Sequence, residues 1–255
     1  MTVSITGRKW IGAASLLGIV LLWQLTASAV KLPLLFPTPA ATIRQLAWLA
    51  ASADFWRHLA ATLGRGLAGF SLALLSGATL AFWAGRREWL AALIHPWVVV
   101  CRSTPSMAFI LLALLWLKGD AVALFVVFLV VFPIAVQNIL EGVRNVDPEL
   151  TEMAAIYRIS RIRALKALYL PSLLPFLAAA ISSGLGMTWK VMIAAEVLSY
   201  PKWGIGGQMD GARVFLQTDR VFAWTAVVVI IGLGFDWLLD GWARRRMNWR
   251  RNDGD

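Results

Sequence analysis

Cysteine and histidine are almost missing from this chain. Cys101 stands alone, so no intrachain disulfide can form and no cysteine metal cluster exists. His58 and His95 are the only histidines, far apart and each beside an expected membrane boundary, which removes a histidine metal site and with it a zinc or redox enzyme. No Gly-x-x-x-x-Gly-Lys-Ser/Thr run occurs, so the chain has no loop of the usual kind to cradle ATP phosphates. "GLGMTWK" (184–190) has its glycines and lysine at the wrong spacing inside an apolar run. "GIGG" (204–207) reads as a short glycine turn, with neither a strand before it nor a helix behind it. Charge is scarce too: 15% of residues are Asp, Glu, Lys or Arg, against about 25% in ordinary soluble domains.

Apolar residues fill the gap, at 59% of the 255 residues, and they fall in blocks of about 20. That length crosses a bilayer as a helix, because backbone polar groups in hydrocarbon must be satisfied within the segment. Six spans are expected, near residues 10–30, 62–85, 90–117, 121–143, 172–197 and 221–242, in one all-α transmembrane domain covering the chain. Trp10, Trp116 and Trp242 lie at expected span ends, where interfacial aromatics gather. "RKW", the apolar run after it and "ASA" at 27–29 also fit a cleaved signal peptide, a reading that leaves the sidedness of the rest unchanged.

The net charge of +10 does not point to nucleic acid, because the cations sit at the ends of apolar runs and not on one soluble face. Putting both termini in the cytoplasm places 14 Lys and Arg on inside segments, Arg8, Arg86, Arg144, Arg161, Arg244 and Arg250 among them, and 8 outside; Arg102 and Lys190 lie within spans. The bias favours that orientation.

It also makes residues 147–171, between spans four and five, a cytoplasmic segment. "NVDPELTEMAAIYR" opens as a helix should: Asp147 caps it, Pro148 suits the first turn, and Glu149 and Glu152 complement the positive end. Ser160 is placed to cap a second short helix, "RIRALKALY", which Pro171 is expected to stop or redirect into the fifth span. Leu150, Met153, Ala154 and Tyr157 share one face; Ile162, Leu165 and Leu168 or Tyr169 share another. Two amphipathic helices with basic edges make a knuckle, to be laid either on anionic lipid or against another protein.

Glu152-Met153-Ala154, then Arg158, then Leu168-Tyr169-Leu170-Pro171 resembles the motif "EAA, three residues, G, nine residues, I-x-L-P" of importer permeases in the ATP-binding cassette (ABC) superfamily. "CRSTPSMAFILLALLWLKGD" is similar to the family's third-span stretch, and residues 194–246 resemble the branch that imports nitrate, sulfonates and taurine. The resemblance implies a type I importer permease fold with a cytoplasmic coupling helix between spans four and five. Glu152, Met153, Ala154, Tyr157, Arg158, Ile159, Leu170 and Pro171 would be the ATPase-coupling residues. It further implies a second permease copy, two cytoplasmic ATPases that hold the ATP and Mg, an extracytoplasmic solute-binding protein, and a place among the lipids of the bacterial inner membrane. The chain itself would bind no cofactor and perform no covalent chemistry. Two positions depart from the motif: Met153 replaces an Ala, and Arg158 stands where the family has Gly, at a local cost of about 1–2 kcal/mol if the turn requires positive φ.

Ala178, Ser182 and Gly186 recur at four-residue intervals, Ala180 and Gly184 run beside them, and Gly66, Gly69 and Gly77 offer similar close approach in the second span. Such faces serve packing, a dimer seam or a pore wall. Lys190 extends the first stripe and lies about 27 Å along the helix from Ser172, within reach of the outer interface. Glu196 is about 120° around from it, a poor partner. Arg102 precedes Ser103, Thr104 and Pro105, where the third span should break. Its guanidinium either meets a small oxyanion or satisfies carbonyls freed by the break. Arg102, Ser103, Thr104, Met187 and Lys190 are the candidate pathway residues. The expected function is passage of a small anionic or zwitterionic solute. The rivals are an organic nutrient such as a thiamine precursor or a riboflavin-like compound, and, outside transport, an assembly scaffold.

Overall fold

The computed structural model describes residues 5–32 and 34–247, all helix and connecting turn, with no strand among the described residues. Residues 1–4 and 248–255 lie outside them, and Arg250 and Arg251 of the charge count with them.

Helix α1 (Ile5–Val30) leads to α2 (Pro39–Ala50), capped by Thr38, and α3 (Ala53–Ala84), capped by Ser52, whose hydroxyls accept from Ala41 N and Phe55 N. Next come α4 (Glu88–Ser103), α5 (Ser106–Trp116) and α6 (Asp120–Arg144). The segment after α6 holds α7 (Pro148–Ile156), α8 (Arg161–Ala164) and a π turn (Leu165–Tyr169), and then α9 (Leu170–Ser199), α10 (Ile205–Val214) and α11 (Thr218–Met247) follow. Four helices are long and apolar enough to cross a membrane, Ala53–Ala84, Asp120–Arg144, Ile162–Ser199 and Thr218–Leu239. A fifth crossing counts if α4 and α5, bent by 99° at their junction, are one broken span; the apolar part of α1, Ala14–Val30, is shorter.

The third expected span is therefore two helices. Pro105 has no N–H to give and pushes Thr104 to extended backbone (ψ 125°), so α4 ends there and α5 restarts at Ser106. Pro171, by contrast, does not end the helix before it. The π turn immediately upstream opens the hydrogen-bond ladder where the imide cannot donate, and the chain runs as one helix from Ile162 to Ser199. The second short helix of the knuckle is thus the first turn of a long one. Two further helices, α2 and α10, were not legible as spans because they are short; "GIGG" opens α10 and is no isolated turn.

α3, α6 and α9 form the centre, packed around Phe70, Val126, Val127, Val131, Leu185 and Met192. Glycines set the spacing: a Cβ on Gly69 would stand 3.0 Å from Leu124 O, and one on Gly77 would stand 2.9 Å from Ala135 Cβ and 3.1 Å from Phe132 O. Of the two rows on α9, Ala180 and Gly184 are buried, Gly184 against Phe70 and Val131. Ser182, Gly186 and Lys190 lie on an uncovered face.

Gly77→Ala should cost about 1–3 kcal/mol, since helix backbone on α6 must shift to admit it. Gly64→Ala, whose Cβ meets open space, should be neutral or mildly stabilising. Thermal unfolding midpoints in detergent compare them, and equal midpoints would contradict the packing described.

Candidate functional site

Three regions carry the candidate residues. The first is the knuckle. Asp147 accepts from Glu149 N at 2.9 Å and caps α7. The helix ends in a Schellman motif, with Arg158 N donating to Ala155 O (3.1 Å) and Ile159 N to Ala154 O (2.9 Å). Arg158 is the residue at positive φ, 49°. The turn therefore keeps the left-handed geometry that a glycine would take without strain, and arginine bears it. Glu152, Met153, Tyr157, Arg158 and Leu170 are exposed, while Ala154, Ile159 and Pro171 are half-buried. α7 buries no residue at all, and Ile156 and Tyr157 are 77% and 74% exposed. That much uncovered apolar surface beside basic edges suits contact with lipid or with another protein.

The second region is the elbow between α4 and α5 with the uncovered face of α9. Arg102 and Ser103 are exposed at the end of α4, and Thr104 returns its hydroxyl to Val100 O at 2.7 Å. Met187 and Lys190 are exposed on α9. Neither Arg102 nor Lys190 forms an ion pair among the described residues. Among the described residues, Arg102 makes no side-chain hydrogen bond to the carbonyls around the break.

The third region was not singled out from sequence. At the end of the bundle opposite the knuckle, Glu196 is completely buried near the end of α9. Its carboxylate accepts from Thr62 Oγ1 (2.9 Å), from Gly206 N (2.9 Å) and from Arg65 Nη2. Arg65 also donates to Asp120 at the start of α6 (2.7 Å) and to the Trp203 carbonyl (2.6 Å). Thr62 Oγ1 in turn accepts from Ile205 N at 3.0 Å. The Gly204 N–H points at His58 Nδ1 (2.9 Å), which makes Nδ1 the acceptor and puts the ring proton on Nε2.

These contacts explain "GIGG". At the start of α10 the Gly206 N–H donates to the Glu196 carboxylate and the Ile205 N–H to the Thr62 hydroxyl, so a negative charge sits at the positive helix end. A Cβ on Gly206 would lie 2.6 Å from Ile193 O and from Glu196 Cβ, so only glycine lets α10 come so near to α9. The stacked Phe55 and Trp224 rings (5.0 Å) pack beneath with Ile205 and Ala223. Arg65, one of the 8 cations placed outside by the charge count, spends its charge in this network. The signal in the sequence was an acidic residue within a span followed eight residues later by closely spaced glycines; its side-chain partners Thr62 and Arg65 lie more than 130 residues away.

Residues 69–248 match the family described as binding-protein-dependent transport system inner membrane component. A protein of Escherichia coli K12 named as an aliphatic sulfonates transport permease, SsuC, is 35% identical over 218 residues, 84% of this chain and 82% of its own length. The taurine transport system permease TauC of the same organism is 28% identical, covering 89% of this chain and 84% of its own. Among solved structures, a chain of the inward-facing MetNI methionine ABC transporter superposes with a TM-score of 0.60 over 76% of this chain and 94% of that one. At 17% identity that likeness speaks to fold alone, and the fold is that of type I ABC importer permeases.

Removing Glu196 leaves the α10 N-terminus without its anion and Arg65 with only the exposed Asp120 carboxylate. Glu196→Ala should cost about 3–5 kcal/mol, and a paired Arg65→Met, Glu196→Leu change should recover much of it. Proteolysis of residues 200–217 together with thermal unfolding reads both, and a single variant as stable as wild type would contradict the role assigned to the network.

Proposed function

The chain belongs to the family of binding-protein-dependent transport system inner membrane components, and from that premise we propose that it is one of two identical permease subunits carrying a small anionic or zwitterionic solute of the nitrate, sulfonate or taurine type into a bacterial cell. As an ABC importer permease it supplies a gated route and no covalent chemistry; ATP is hydrolysed by a separate ATPase. ATP and Mg sit on that partner, and a binding protein outside delivers the solute. Both termini face the cytoplasm, in keeping with the Lys and Arg bias.

The observation that carries the coupling role is the exposed knuckle: a capped helix, a left-handed turn at Arg158 in the motif's glycine position, and uncovered Met153, Ile156 and Tyr157. A surface of that kind fits a groove on a cytoplasmic ATPase. The knuckle is also the foot of the helix that runs unbroken to Ser199, so force applied there reaches the far end of the bundle.

Anion passage is supported by the sulfonate and taurine permeases among its relatives and by two cations without carboxylate partners, Arg102 at the elbow and Lys190 on α9. The uncovered Ser182–Gly186–Lys190 face supports a second copy of the chain as its neighbour across the pathway, with Arg102, Ser103, Thr104, Met187 and Lys190 toward the solute.

Detergent-solubilised protein is used to pull down its cognate ATPase, comparing wild type with Glu152→Arg and with residues 150–166 replaced by a Gly/Ser linker. Wild type should retain the ATPase and stimulate its hydrolysis severalfold, and the replacement should lose both. Equal retention by all three would make the segment a membrane-surface helix and end the coupling reading.

Arg102→Gln and Lys190→Met should each lower taurine or alkanesulfonate uptake in proteoliposomes on the order of tenfold while keeping the ATPase bound. Unchanged uptake in both would remove these cations from the pathway.

A further inference from the structure

Where the apolar length of α3 ends, an open cleft of about 500 Å3 lies between the α3–α4 turn and the helix that leaves the knuckle. Trp83, Arg86 and Arg87 form one wall and Ile162, Leu165 and Tyr169 the other. The Arg86 guanidinium stands 4.8 Å from the centre of the Tyr169 ring and 5.1 Å from that of Phe82, and the two rings meet edge to face at 5.8 Å. Contact with the rings orients the guanidinium while its N–H edge stays free to bind. Neither Arg86 nor Arg87 has a carboxylate partner among the described residues, although exposed Glu88 follows them in sequence. Trp83, Ile162 and Leu165 present 51%, 68% and 43% of their surface.

Two unpaired guanidinium groups set above an indole and two aliphatic side chains, where a span gives way to water, match one ligand: a phosphate with hydrocarbon attached. Arginine takes phosphate oxygens through paired N–H groups, and an acyl chain covers the apolar wall. We propose that this cleft binds the headgroup phosphate of an anionic phospholipid, phosphatidylglycerol or its like, in the leaflet at the knuckle end. The lipid then bridges the α3–α4 turn and the first turns of the long helix, and so bears on the segment through which the ATPase acts. The inference rests on the reading that the knuckle lies at the membrane edge.

Full-length permease, delipidated in neutral detergent, is titrated with dioleoyl phosphatidylglycerol and separately with dioleoyl phosphatidylcholine, and bound lipid is counted by native mass spectrometry. Phosphatidylglycerol should be retained well above phosphatidylcholine. Arg86→Gln with Arg87→Gln should weaken it on the order of tenfold, and Arg86→Lys with Arg87→Lys should weaken it less, since the charge remains. ATPase retention by the glutamine pair should match wild type, which separates failure here from failure of the coupling reading. Equal retention of the two lipids, or undiminished phosphatidylglycerol binding in the glutamine pair, overturns the proposal. So does competition by glycerol phosphate as effective as the whole lipid, which would mark a free-anion site. Loss of the ATPase with lipid binding intact would assign the cleft to the protein partner instead.

Discussion

The buried carboxylate of Glu196 is the constraint on which the end of the bundle away from the knuckle depends. A charge with no exposed surface persists only where its lone pairs are met, and here Thr62, Arg65 and the first turn of α10 meet them. Because Arg65 also holds Asp120 and the Trp203 carbonyl, one carboxylate fixes the top of α3, the start of α6, the end of α9 and the entry to α10 relative to one another. Apolar packing alone would not select this arrangement so narrowly, since Leu49, Phe55, Ala223 and Trp224 beneath it tolerate sliding that hydrogen bonds do not.

What was legible in the sequence follows from the range of the physics involved. Apolar length is local, so α3, α6, α9 and α11 were visible as blocks, and Pro105 announced the break after Arg102 because proline acts on its own turn. The cap at Asp147 and the turn near Arg158 were local in the same sense. Pro171 misled, because a π turn five residues long absorbs the missing donor, and no residue pattern marks such a turn. The Glu196 network stayed hidden because its members come from four separate stretches. Arg65 looked like one more interfacial cation, and Glu196 was tested only against Lys190 on its own helix. The α10 glycines lack the spacing of a nucleotide loop, and their approach to Glu196 is a fold contact that no local pattern marks.

The two ends differ in kind. At one, the Glu196 carboxylate is met from within the chain by Thr62, Arg65 and Gly206, and the segments that carry them are tied together. At the other, α7 buries nothing, and Arg86 and Arg87 offer donors without carboxylate partners. A subunit that is tied together at one end and open at the other suits a membership in which neighbours complete the structure, and the open surface lies beside Glu152 and Arg158.

The uninterrupted course from Ile162 to Ser199 has a mechanical consequence. Thirty-eight residues of helix make a rod of about 57 Å. Pivoting it by about 5° around one end sweeps the other through about 5 Å, comparable to the width of a small solute. Had Pro171 severed the rod into two jointed pieces, the same rotation at the foot would be dissipated at the joint. Sparing that joint turns a modest angular input into leverage, so that Glu196, which ties the end of α9 to α3 and α10, sits near the tip of the longest helix among the described residues.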